Sequence, residues 1–106
     1  MVHITTKYEI AASHRLFNAD WDDDRNRETF GKCAHPTGHG HNYVLEVTVA
    51  GEPQADTGFV TAVEAINAIV QEQIIERFDH KNLNTDCEDF HGLIPTVENM
   101  ARVFWD

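Results

Sequence analysis

The sequence predicts an α+β domain, on the strength of three observations: a strictly alternating segment at each of residues 2–14 and 39–49, a helical stripe over 61–78, and a helix start at Pro95-Thr96. Strands come first and helices second. In the first segment the even positions are Val2, Ile4, Thr6, Tyr8, Ile10, Ala12 and His14, and the odd ones are mostly polar, which gives a strand with one apolar face. Residues 15–36 show no period; the acidic run Asp22-Asp23-Asp24 and the following Arg25, Asn26 and Arg27 read as a solvated loop. The second segment places His39, His41, Tyr43, Leu45, Val47 and Val49 on one face and ends in a turn between Gly51 and Gly58. Val63, Ile66, Val70, Ile74 and Phe78 then recur at steps of three and four, the stripe of an amphipathic helix. FDHKNLN (78–84) follows as a polar loop, and 85–94 is irregular. Thr96 is the expected N-cap of the second helix, with Glu98 in its first turn and Val97, Met100, Ala101 and Phe104 as its buried face. The pattern is cut off at Asp106, so an interrupted element is expected there.

Composition narrows the function. A chain of 106 residues is one domain, and a domain of that size buries only about 65% of the surface of its unfolded chain. Eighteen acidic side chains against eight basic ones give a net charge of -10, which repels nucleic acid and anionic membranes. No apolar run approaches the ~18 residues of a membrane span, and the N-terminus MVHITTKYEI lacks the pattern of a signal peptide, so the cytoplasm is the expected compartment. Two cysteines, Cys33 and Cys87, do not make a disulfide framework. Cys87, between Asp86 and Glu88, reads as a surface thiol whose acidic neighbours raise its pKa.

Seven histidines are an excess for so short a chain, and GKCAHPTGHGHNY (31–43) concentrates three of them with Cys33. On a strand, His39 and His41 share a face with their α-carbons about 6.5 Å apart, a chelating pair by geometry. His14, on the apolar parity of the first strand, supplies a third nitrogen if the two strands pair with those ends together. Three neutral imidazoles with a fourth position open are the ligand set of a catalytic zinc. The competing assignment is a closed, structural site of Cys33, His35, His39 and His41; Pro36 biases His35 toward extended backbone and works against so tight a knot. After the long helix, Asp79 and His80 are either a solvated helix end or a carboxylate that orients an imidazole for proton transfer. Arg15, Arg27, Lys32 and Lys81 are the cations available to an anionic substrate.

Taken together, Ala12-Ser13-His14-Arg15-Leu16, Asn26, Phe30-Gly31-Lys32-Cys33, His39-Gly40-His41-Asn42-Tyr43, Asp79-His80-Lys81-Asn82-Leu83-Asn84, and Thr96 with Glu98-Asn99 resemble the 6-pyruvoyl-tetrahydropterin synthase and 6-carboxytetrahydropterin synthase family. The resemblance runs from the first strand to the last residue. It implies a T-fold, an antiparallel sheet with two helices on one face, in subunits that assemble into homo-oligomers, commonly hexamers. It implies Zn2+ on His14, His39 and His41, Cys33 as general base, Asp79 and His80 sharing the proton relay, and Thr96 as a substrate contact. The substrate it implies is a pterin triphosphate, 7,8-dihydroneopterin triphosphate, from which triphosphate is eliminated as the side chain is rearranged to a pyruvoyl group.

Six positions separate Cys33 from His39, the spacing of the pyruvoyl branch. The alternatives are a 6-carboxytetrahydropterin synthase of queuosine biosynthesis and a non-catalytic zinc-stabilised pterin-binding or assembly domain. Family members continue past the second helix into two more strands, with a glutamate that anchors the pterin ring. Residues 1–106 are thus expected to form a single domain truncated at its C-terminus.

Overall fold

Alternation alone does not say how two strands meet; their pairing register does. In the computed structural model, which describes residues 1–105, β1 (Val2–His14) and β2 (His39–Gly51) pair antiparallel along their whole lengths, from Val2 opposite Gly51 to His14 opposite His39. Every even position of β1 thereby faces an odd position of β2: Ile10 opposite Tyr43, Ala12 opposite His41. Both apolar faces fall on one side of the sheet. A third strand, β3 (Lys81–Asn82), runs parallel to β1 beside Ala12 and Ser13, giving the order β2-β1-β3. The antiparallel pair is as expected. The sheet as a whole is mixed, because the FDHKNLN loop returns along β1 for two residues.

The helical layer covers the inward face. The helix expected over 61–78 is α2 (Val63–Val70), one π turn (Gln71–Ile75) and α3 (Glu76–Phe78) in a continuous rod. Four of the five stripe residues, Ile66, Val70, Ile74 and Phe78, are buried with Ala12, Leu83, Phe90 and Met100; the fifth, Val63, at the first turn, is exposed. Each large apolar side chain so buried contributes about 1.5–3 kcal/mol. The second predicted helix is α4 (Val97–Trp105), and Thr96 caps it by accepting the Asn99 N–H at 3.2 Å. Met100 and Phe104 face inward as expected, joined by Val103, while Val97 and Ala101 face solvent. The expected interruption at Asp106 lies outside the described residues.

Two expectations are corrected. The loop over 15–36 contains a helix, α1 (Asp23–Phe30), followed by a 3-10 turn (Gly31–Ala34). It has no apolar stripe, so periodicity misses it; its ends carry the information instead. Asp22 accepts the Arg25 N–H at 2.8 Å, Asp23 and Asp24 occupy the positive first turn, and Gly31 closes the helix at φ 61°, where side chains are disfavoured. The second correction concerns Cys87, which is buried in the core rather than on the surface. Its pKa is raised, as expected, but burial is the larger cause and the charges of Asp86 and Asp89 add to it.

Candidate metal centre

The end of the strand pair at His14 and His39 gathers the histidines. Register puts His14 opposite His39, and parity puts His41 on the same inward face. One ring nitrogen from each of the three lies within 4.8 Å of the others. The ring centroids are 4.5–5.1 Å apart and the planes nearly perpendicular, so the imidazoles converge edge-on rather than stack.

His14 is the deepest of the three, 3% exposed. Its Nδ1–H donates to the Pro95 carbonyl at 2.9 Å, which leaves the Nε2 lone pair pointing into the cluster, 3.3 Å from His39 Nε2. A backbone partner behind a ligand ring fixes tautomer and orientation, as in metal-bound histidines generally. Burial lowers the His14 pKa, the Pro95 hydrogen bond opposes that shift, and His39 and His41 reinforce it, which favours the neutral ring that binds metal. Among the described residues, His39 Nδ1 is a buried side-chain nitrogen without a partner. His41 is exposed, so the cluster is open on that side. Three imidazoles converging beside an open flank fit a divalent transition metal.

Gly38 permits this approach. Its φ is +74°, and a β-carbon there would lie 2.9 Å from the His14 carbonyl oxygen, so any larger residue would push β2 away from the end of β1.

The other predicted residues lie outside the three-nitrogen cluster. Cys33 is half-buried in the 3-10 turn, its carbonyl accepting the Leu16 N–H at 2.8 Å. It does not join the three-nitrogen cluster. Burial raises the pKa of inward-facing Tyr43 and Cys33 adds to the shift; the Tyr43 hydroxyl is 3.4 Å from His14 Nδ1. His35 is exposed and bonds locally to Thr37, away from the cluster.

Asp79 and His80 form a pair, with Nδ1 2.9 Å from Oδ2. Asp79 Oδ1 accepts the Ala11 N–H at 2.8 Å, and this bond is the main reason its pKa is lowered, the contacts with His80 adding to the shift. His80, at φ 60° and with its side chain 82% exposed, borders a depression that is also lined by Ser13, Gly40, Asn42 and His41 of the histidine cluster. Thr96 is one residue from the carbonyl that holds His14, with its hydroxyl engaged as the α4 cap.

Sequence reasoning missed the Pro95 carbonyl, a main-chain group with no residue signature. It also missed the tie between Asn84 and the main chain of Arg15: Oδ1 accepts the Arg15 N–H at 2.7 Å and Nδ2 donates to the Arg15 carbonyl at 2.9 Å.

A strand pair that presents three imidazoles to one point beneath a helical layer defines a metal-binding α+β domain. The pattern of the family described as 6-pyruvoyl tetrahydropterin synthase matches residues 3–106, and the chain belongs to that family, with its T-fold. The 6-pyruvoyl tetrahydrobiopterin synthase of Homo sapiens is 40% identical over 103 residues, 97% of this chain and 71% of that protein. The structure of Caenorhabditis elegans 6-pyruvoyl tetrahydropterin synthase superposes with a TM-score of 0.93 at 35% identity, covering 98% of this chain and 74% of that one. The 6-carboxy-5,6,7,8-tetrahydropterin synthase of Bacillus subtilis is 34% identical over 84 residues, 76% of this chain and 53% of that protein.

Proposed function

We propose that the chain is a zinc-dependent carbon-oxygen lyase that eliminates triphosphate from 7,8-dihydroneopterin triphosphate and rearranges the side chain to the 6-pyruvoyl product. The convergence of His14, His39 and His41 at one open point, in a member of this family, carries the reading. A zinc ion held there would supply Lewis acidity, polarising a side-chain oxygen of the pterin and acidifying the adjacent C–H. The protein's own groups do the rest. Cys33, half-buried and outside the cluster, serves as the base that takes the proton. Thr96, next to the Pro95 carbonyl behind His14, serves as a pterin contact. Beside the Cys33 turn lies a cavity of about 630 Å³ whose charged lining is Arg15, Arg27 and Lys32 against one carboxylate, Asp23, a net positive balance that suits the triphosphate in a chain otherwise strongly acidic.

Asp79 holds the Nδ1–H of His80 and leaves Nε2 able to exchange a proton, so the pair serves the relay. With the His80 side chain 82% exposed, we assign the complete relay to a homo-oligomer in which the pair of one subunit meets the thiol of another. Among the described residues β2 has one unpaired edge thirteen residues long, a surface suited to such assembly, with a hexamer as the expected form. With a net charge of -10, no nucleic-acid partner is proposed, and no helix among the described residues is long and apolar enough to cross a membrane. The compartment proposed is the cytoplasm, and the domain proposed is a single unit over 1–106.

The wider match to the human protein favours the pyruvoyl over the carboxy product. The test is Cys33→Ala. Triphosphate release should fall at least a hundredfold, the lower bound for loss of a general base, while one zinc per chain stays bound. Loss of zinc from that variant would make Cys33 a ligand and favour the non-catalytic reading; unchanged release would remove Cys33 from the chemistry.

A further inference from the structure

We propose that Asn84 is a positioning residue for the metal centre, fixing the main chain beside His14 so that its imidazole meets those of His39 and His41. The inference rests on the metal-centre reading above. β3 pairs with β1 only at Ala12 and Ser13, so the regular ladder on that edge stops just short of His14. Leu83 N–H extends it by donating to the Ser13 carbonyl at 2.8 Å. At the next position on that edge, Arg15, no backbone group takes over; the Asn84 side chain does, accepting the N–H and donating to the C=O. A carboxamide carries the same donor and acceptor as a peptide, so it stands in for one more residue of strand. Its orientation follows from its partners, since an N–H can only donate and a C=O only accept.

The clamp is itself held. Asn82 Oδ1 accepts the N–H groups of Asn84 at 3.0 Å and Thr85 at 3.2 Å, which braces the turn that presents the carboxamide. His14 is thus constrained twice, its ring by the Pro95 carbonyl and its backbone by the residue that follows it. Ligand geometry held by a supporting shell is what separates a tight metal site from a loose one.

The molecule supplies its own control. Asn26 makes the same reciprocal pair with Asn18, accepting its N–H at 2.8 Å and donating to its C=O at 3.0 Å. That clamp acts four residues past His14, on the loop leading to α1. Equal hydrogen-bond chemistry at two distances from a ligand separates positioning from general stabilisation.

The experiment is zinc affinity, by competition with a chromophoric chelator, together with the thermal midpoint of the metal-free protein, for wild type, Asn84→Ala, Asn84→Asp and Asn26→Ala. Asn84→Ala should bind zinc about tenfold more weakly, at the lower end of losses for outer-shell partners. Asn84→Asp, which keeps an acceptor for the Arg15 N–H, should lose less. Asn26→Ala should lose thermal stability with zinc affinity unchanged. Unchanged affinity in Asn84→Ala, or an equal loss in Asn26→Ala, overturns the proposal. If Asn84→Ala does not fold, unchanged affinity in Asn84→Asp overturns it. A wild-type chain that binds no zinc overturns the metal-centre reading itself, an outcome distinct from the others.

Discussion

At residues 10–14 the inward side chains of β1 are Ile10, Ala12 and His14, all buried, whereas at residues 2–6 Val2 is exposed and Ile4 and Thr6 are half-buried. One strand with one alternation therefore has two environments. Ile66, Val70, Ile74, Phe78 and Met100 form one buried cluster with Ala12 at the site end, whereas at the far end Val47 and Val49, opposite Thr6 and Ile4, pack against that cluster only partly buried. The molecule is accordingly long, 60 × 24 × 21 Å, with a radius of gyration of 17.2 Å, where about 13 Å is usual for a compact domain of this size. At the far end the pairing is reinforced by surface contacts, a Thr5–Thr48 hydroxyl bond of 2.8 Å and a Lys7–Glu46 ion pair of 3.7 Å. Alternation specifies which face is apolar. Coverage decides where that face is rigid enough to hold ligands in place.

The largest effect should come from substitutions that break this contrast directly. Ile10→Ala is expected to destabilise by about 3 kcal/mol, within the usual range for truncating a buried isoleucine, whereas half-buried Ile4→Ala is expected to cost under about 1 kcal/mol. Urea midpoints of the two variants measure it, and equal losses would mean that the far end is covered after all.

Acid sharpens the contrast through Asp79, which accepts the Ala11 N–H at the site end. Its folded pKa is lowered, so its stabilising contribution is complete above the unfolded value near 3.9 and is lost as pH falls through the folded value. Between pH 6 and pH 3, wild type should lose more stability than Asp79→Asn, which cannot ionise at that position. A parallel decline in both proteins would count against the tie.

The smallest effect is expected at the far end. Lys7→Ala, which removes an exposed ion pair, should shift stability by less than about 0.5 kcal/mol, and less again at high salt. A larger shift in the same urea series would show the far end to be more tightly coupled than its exposure suggests.

The parts that could be read from sequence are those set by period and parity. The inward faces of β1 and β2, four of the five stripe residues from Ile66 to Phe78, and the Thr96 cap all follow from residue types at fixed steps. The histidine cluster was legible for the same reason, because a two-residue period places His39 beside His41, and only the register of His14 had to come from the fold. What escaped depends on tertiary partners. α1 has no buried apolar face, so its signal lay in Asp22 and Gly31 at its ends. β3 is two residues of a polar loop that become a strand only beside Ala12 and Ser13. Cys87 sits between acidic residues, yet the chain turns its thiol inward.

The peptide joining Pro95 to Thr96 links two structures that are otherwise apart. Its carbonyl holds the ring of His14, and the next hydroxyl begins α4. Unwinding the first turn of that helix would slacken the bond behind the imidazole and reduce the electron donation available at Nε2. The docking of a peripheral helix and the basicity of a central ring are in this way two readings of one hinge.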